Sequence, residues 1–141
     1  MIEILNQQRR YNLDLKSLEK LLKSLAVDYK LKNPEITLVL VNDKAIRELN
    51  LRYRKKDKPT DVLSFSMGEK GADGKFYLGD IVISVPQAAR QHRAKDHDLQ
   101  TEVELLTVHG FLHLLGYEHF QGLEEEESRV RSRLHAEDHG S

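Results

Sequence analysis

Between Leu105 and Leu115, seven of eleven residues are large and apolar: Leu105, Leu106, Val108, Phe111, Leu112, Leu114 and Leu115. On a helix they are distributed all round the axis, so no face is left for water and the segment must be enclosed by other elements. Any fold for this chain is therefore built around one buried helix. His109 and His113 lie four residues apart on it, which puts their Cβ atoms roughly 5–6 Å apart on one face. Gly116 follows the apolar run directly, where a left-handed helix terminus would reverse the chain at no steric cost.

The rest of the chain supplies material to enclose that helix. Residues 2–6 form a short strand candidate, and Leu15, Leu18, Leu21, Leu22, Leu25 and Tyr29 repeat at helical spacing after Asn12 or Asp14 as cap. ITLVLV at 36–41 is short, apolar and rich in β-branched residues, as a buried strand requires. Asn42 and Asp43 can then cap a second helix with a buried stripe of Ile46, Leu49 and Tyr53. TDVLSFSM and LGDIVISV show strand alternation, and the glycines at 68, 71 and 74 between them suit a hairpin loop. Pro86 fits the first residue of a further helix. Asp98 or Thr101 can open the buried one, with Thr101 and Glu104 matching a capping box. A charged helix over about 122–135 closes the chain. About four strands and about five helices without regular alternation give an α+β fold, one domain over residues 1–141 with one mixed sheet.

The chain has no cysteine, which excludes disulfides, thiolate metal sites and cysteine nucleophiles. A tightly held metal must then use histidine or carboxylate. No charged leader precedes an apolar run and nowhere are about 18 apolar residues consecutive, so the expected location is the cytoplasm, without a membrane partner. Net charge is −1, but Lys44–Lys58 carries seven basic residues against Glu48 and Asp57, a local +5.

If the buried helix simply continued, His119 would lie about 15 Å beyond His109 along the axis. A reversal at Gly116 can instead aim it back at the same ion. Core histidines bonded to backbone are the plainer alternative, yet three at this spacing, two of them on an apolar helix, favour a shared cation. Three histidine ligands leave one position open, which is the catalytic arrangement rather than the closed structural one. The spacing matches that of zinc proteases reading H-E-x-x-H-x-x-G-x-x-H, except that Gly110 stands where those enzymes have their glutamate base.

Three segments in order, ELNLRYRKKDKPTDVLSF, LGDIVIS and HGFLHLLGYEH, make the chain from about Asn42 onward resemble the bacterial YbeY-type endoribonucleases. The resemblance implies a zinc-dependent single-strand endoribonuclease in ribosomal RNA maturation, including processing of the small-subunit 3′ end, and in ribosome quality control. It implies one divalent ion, zinc first, on His109, His113 and His119, with Arg54 as the functional arginine. It makes Asp80 a candidate for partner contact, and a small-subunit ribosomal protein and an assembly GTPase candidate partners beside the ribosome. Where the family usually has Asp before the third histidine, this chain has Glu118.

The residues agree with that reading on their own terms. A metal with an arginine fork beside it suits a phosphodiester, and Arg52, Lys55, Lys56 and Lys58 could track an RNA backbone. Aromatics are few and no stacking platform stands out in the sequence. Two other readings stay open: a metallopeptidase without the usual base, and a non-catalytic ribosome-assembly module whose metal secures the fold.

Overall fold

A computed structural model of the protein describes residues 1–93, 96–117 and 129–130. Its elements run β1 (Ile2–Asn6), α1 (Leu15–Asp28), β2 (Pro34–Val41), α2 (Asp43–Arg54), β3 (Val62–Lys70), β4 (Phe76–Ser84), α3 (Val85–His92) and α4 (Leu99–Leu114). The strands make one sheet in the order β1-β2-β4-β3. β1, β2 and β4 are mutually parallel, and β3 is an antiparallel edge strand on β4. The architecture is thus α+β with a mixed four-stranded sheet. The expected closing helix over 122–135 lies outside the described residues, apart from Arg129 and Val130.

Helices cover both faces of the sheet, which is why β2 reads as a continuous apolar run instead of alternating. Ile36, Leu38 and Leu40 of β2 and Ile81 and Ile83 of β4 point to one face. There they meet Leu18, Leu22 and Leu25 of α1 and Val103, Phe111 and Leu112 of α4. The opposite face carries a smaller cluster, in which Ile46 of α2 packs with Val41, Leu63 and Val82. Phe111 and Leu112 are fully buried and Val108 and Leu114 nearly so, as a helix apolar on every side demands.

Side-chain caps start each helix. Asp14, Asn42, Ser84 and Asp98 accept from the backbone N–H groups of Ser17, Ala45, Gln87 and Thr101 respectively. Asp98 rather than Thr101 therefore opens α4. With Asp98 at the N-cap, Thr101 stands three residues into the turn and forms no capping box with Glu104, whose carboxylate accepts from the Ser17 hydroxyl of α1 at 2.9 Å. Pro86 is the second residue of α3, after Val85.

Tyr53, expected in the buried stripe of α2 with Ile46 and Leu49, is 58% exposed while Ile46 is fully buried. The last turn of α2 reaches the edge of the sheet, where the contact offered to Tyr53 is the Phe65 ring of β3, centroid to centroid 5.3 Å. The buried position in that turn goes to Asn50, whose side-chain N–H donates to the Lys58 carbonyl at 2.9 Å.

The cap on α4 gives a pH-dependent expectation. The backbone N–H of Thr101 first, and its hydroxyl second, hold the Asp98 carboxyl below its ordinary range. A lowered folded-state pKa means the contribution is present above the usual carboxylate range and disappears as pH falls through the folded value. Asp98→Ala should cost about 1 kcal/mol at neutral pH in urea denaturation, and the gap to wild type should narrow at acid pH, below the usual carboxylate range. Asp98→Asn should keep part of the cap at both pH values.

Candidate metal centre

Two serines on alternate positions of β3 set the distance between the buried helix and the sheet. The Ser64 hydroxyl donates to the Gly110 carbonyl at 3.1 Å and the Ser66 hydroxyl to the Leu114 carbonyl at 3.2 Å. Between them Phe65 points to the α2 face, as strand alternation requires. A Cβ at Gly110 would stand 2.6 Å from Ile81 Cγ2 and 3.2 Å from Ser64 Oγ. The helix thus approaches the sheet more closely here than any side chain allows. The position where zinc proteases of this spacing carry their base is filled by the sheet itself.

On the same helix His109 and His113 turn their rings together. Their Nε2 atoms are 3.0 Å apart and the ring centroids 4.6 Å apart, with planes inclined at 57°. Two nitrogens that share a tetrahedral zinc at ordinary Zn–N lengths stand about 3.3 Å apart, so this pair fits a common ion with a small adjustment. The turn that should bring in the third ligand forms where expected. Gly116 has φ +98°, its N–H donates to the His113 carbonyl at 3.0 Å, and the Tyr117 N–H donates to Leu112 at 3.1 Å. Those two bonds are the paired contacts of a Schellman terminus, which stops α4 and turns the chain. His119 and Glu118 lie outside the described residues. Among the described residues no third histidine or carboxylate joins the pair.

The basic segment is held by backbone contacts and by one ion pair. Arg54 ends α2, and Lys55 caps it in the left-handed region at φ +56°. The N–H groups of Lys55 and Lys56 donate to the Leu51 and Asn50 carbonyls. Arg47 Nε bonds Asp57 at 2.7 Å, and that hydrogen bond, then the charge behind it, holds the Asp57 carboxyl low and the Arg47 guanidinium high. One of the two acids in the stretch is thereby paired. Arg54, Lys55, Lys56 and Lys58 are exposed and make no ion pair among the described residues. The loop is anchored at its far end by Asp61, whose carboxylate accepts from Val62 N–H at 2.8 Å and from Gln91 at 3.2 Å. Chain direction then takes it into β3, two residues before the serine that touches Gly110.

The sequence candidates fall on two faces of the sheet. His109 and His113 belong to the α4 face. Asp80 pairs with Phe65 and Thr37 across its strand neighbours and, like Val82 two residues on, points to the α2 face. The Asp80 side chain makes no hydrogen bond or ion pair among the described residues. A feature the sequence did not announce is Glu102, 1% exposed in the first turn of α4, with His97 Nε2 at 2.6 Å. His97 supplies the partner that this buried carboxylate needs, and Glu102 lies about 10 Å along the helix from His109.

Comparison with known proteins matches residues 3–137 to the family model described as endoribonuclease YbeY. A relative named endoribonuclease YbeY from Aquifex aeolicus is 56% identical over 96 residues, 68% of this chain and 63% of that relative. One of the same name from Syntrophotalea carbinolica is 39% identical over 136 residues, 94% of this chain and 90% of the relative. The solution structure of a Thermotoga maritima protein, 27% identical, superposes with a TM-score of 0.65 and covers 99% of this chain and 93% of its own.

The close approach at Gly110 can be tested directly. Alanine gains about 1 kcal/mol over glycine in a helix with room for it, whereas overpacking a core costs about 1–3 kcal/mol. Because Ile81 is fully buried and its methyl cannot swing aside, overpacking should win. Gly110→Ala should lower unfolding free energy by about 1 kcal/mol; a stabilised variant would mean the helix stands off the sheet.

Proposed function

Because this chain belongs to the endoribonuclease YbeY family, we propose that it cuts single-stranded RNA internally with one divalent ion, zinc first, held by His109, His113 and His119. The observation that carries this reading is the facing pair of Nε2 atoms 3.0 Å apart on a helix that stops at Gly116. An ion bound there supplies Lewis acidity toward a phosphoryl oxygen and activates water.

The remaining work falls to the chain's own residues. Arg54, at the end of α2 and without an ion-pair partner among the described residues, offers a planar fork to the phosphodiester and neutralises charge as it builds. Lys55, Lys56 and Lys58 hold the flanking phosphates, with Arg52 beside them. Gly110 leaves no room for a protease base, which favours a nuclease over a peptidase. In this reading the substrate is ribosomal RNA, with small-subunit 3′-end maturation and ribosome quality control as the setting. Asp80, on the opposite face, then serves contact with a partner such as a small-subunit ribosomal protein or an assembly GTPase.

Purified protein should contain about one divalent ion per chain by elemental analysis, and His113→Ala close to none. Cleavage of precursor ribosomal RNA should stop with chelator and return with zinc. Arg54→Glu should slow cleavage by about 100-fold or more while metal content and melting temperature hold. Equal cleavage with and without chelator would end the metal reading. RNA binding without any cleavage at full metal occupancy would identify a non-catalytic assembly module instead.

A further inference from the structure

We propose that Tyr53 is a stacking residue for single-stranded RNA, on which one base rests as the strand crosses the β3 edge toward His109 and His113. This rests on the RNA reading above and adds to it a second, uncharged point of hold.

The ring is 58% exposed at a helix position where the apolar pattern called for burial, so more than half of a large aromatic surface faces water. It is nevertheless held in place. Phe65 meets it at 5.3 Å with planes inclined at 69°, and the Arg52 guanidinium lies 5.5 Å from its centroid. A fixed ring loses little freedom when a base settles on it, and a guanidinium beside it can itself lie on a base.

Position supplies the link to the metal centre. Phe65 sits between Ser64 and Ser66, whose hydroxyls bond the α4 backbone at Gly110 and Leu114. Tyr53 and the two histidines therefore flank the same three residues of an edge strand, one from each face of the sheet. Charge supplies the choice of partner. Tyr53 is embedded between Arg52 and Arg54 and followed by Lys55, Lys56 and Lys58, and a run of exposed cations around an exposed aromatic suits a polyanion with stacking faces. An apolar or cationic protein surface would find no such complement.

The test measures binding of a short 2′-O-methylated, uncleavable oligoribonucleotide carrying 2-aminopurine, across a salt series. Wild type is compared with Tyr53→Phe, Tyr53→Ala and Tyr53→Leu. The leucine variant keeps an apolar contact for Phe65 and guards against a folding artefact. Tyr53→Ala and Tyr53→Leu should weaken binding by about 5- to 100-fold and lose 2-aminopurine quenching, whereas Tyr53→Phe should stay within about twofold. The slope of log Kd against log salt should not change in any of them, because no phosphate contact is removed. Lys56→Ala should do the reverse, reducing the slope while keeping the quenching. If wild type binds and cleaves RNA but Tyr53→Ala and Tyr53→Leu bind as well as it does, the inference falls and the nuclease reading stands. If those variants lose only a ribosomal protein and not the oligonucleotide, the surface is a protein contact and the inference falls again. If wild type binds no RNA, both readings fall together.

Discussion

The structure depends on how closely one helix can lie against a sheet. α4 is apolar on nearly every side, so its enclosure sets the arrangement of α1, the sheet and α3 around it. At one point the approach is governed by a missing side chain, since Gly110 lets Ile81 and the Ser64 hydroxyl reach the helix backbone. Two serine-to-carbonyl bonds, at Gly110 and Leu114, then fix translation along the strand. With that register set, residues 109 and 113 come to lie beside the edge strand, half-buried, with their rings converging.

The same register brings together groups far apart in sequence. β3 is the edge of the sheet, so the loop that feeds it and the helix packed on it share one rim of the molecule. Arg54 and the lysines after it come to that rim from the α2 side, and the histidines from the α4 side. A rim with cations on one flank and imidazoles on the other differs from a closed pocket, because an extended polymer can cross it. That agrees with a substrate gripped by its backbone.

Much of this was legible in the residues. The all-round apolar helix, the H-x3-H pair and the glycine stop are local patterns, and each depends on at most eleven neighbouring residues, so they survive folding unchanged. Four strands in a mixed sheet followed from period-two runs and turn glycines. Strand order did not follow, because nothing in LGDIVIS says that β4 will lie between β2 and β3. The exposure of Tyr53 escapes the sequence for a related reason. Helical periodicity reports which face a residue is on, but not whether the sheet still extends beneath that face. For Asp80, a candidate for partner contact, the residues alone do not say which face of the sheet it takes, and only strand register shows that it lies on the face opposite the histidines. The His97–Glu102 pair joins the α3–α4 connection to the helix, and no spacing rule signals it.

Lys55 closes α2 at φ +56°, a conformation that lysine adopts reluctantly. Asn50, buried beneath it, clasps the Lys58 carbonyl and keeps the following turn in shape. The cationic stretch is thereby a moulded ridge and not a loose tether. A polyanion meeting it finds the backbone already arrested, so the entropy that a floppy polycation would surrender on contact has been given up during folding, and attraction at the surface goes more fully into affinity.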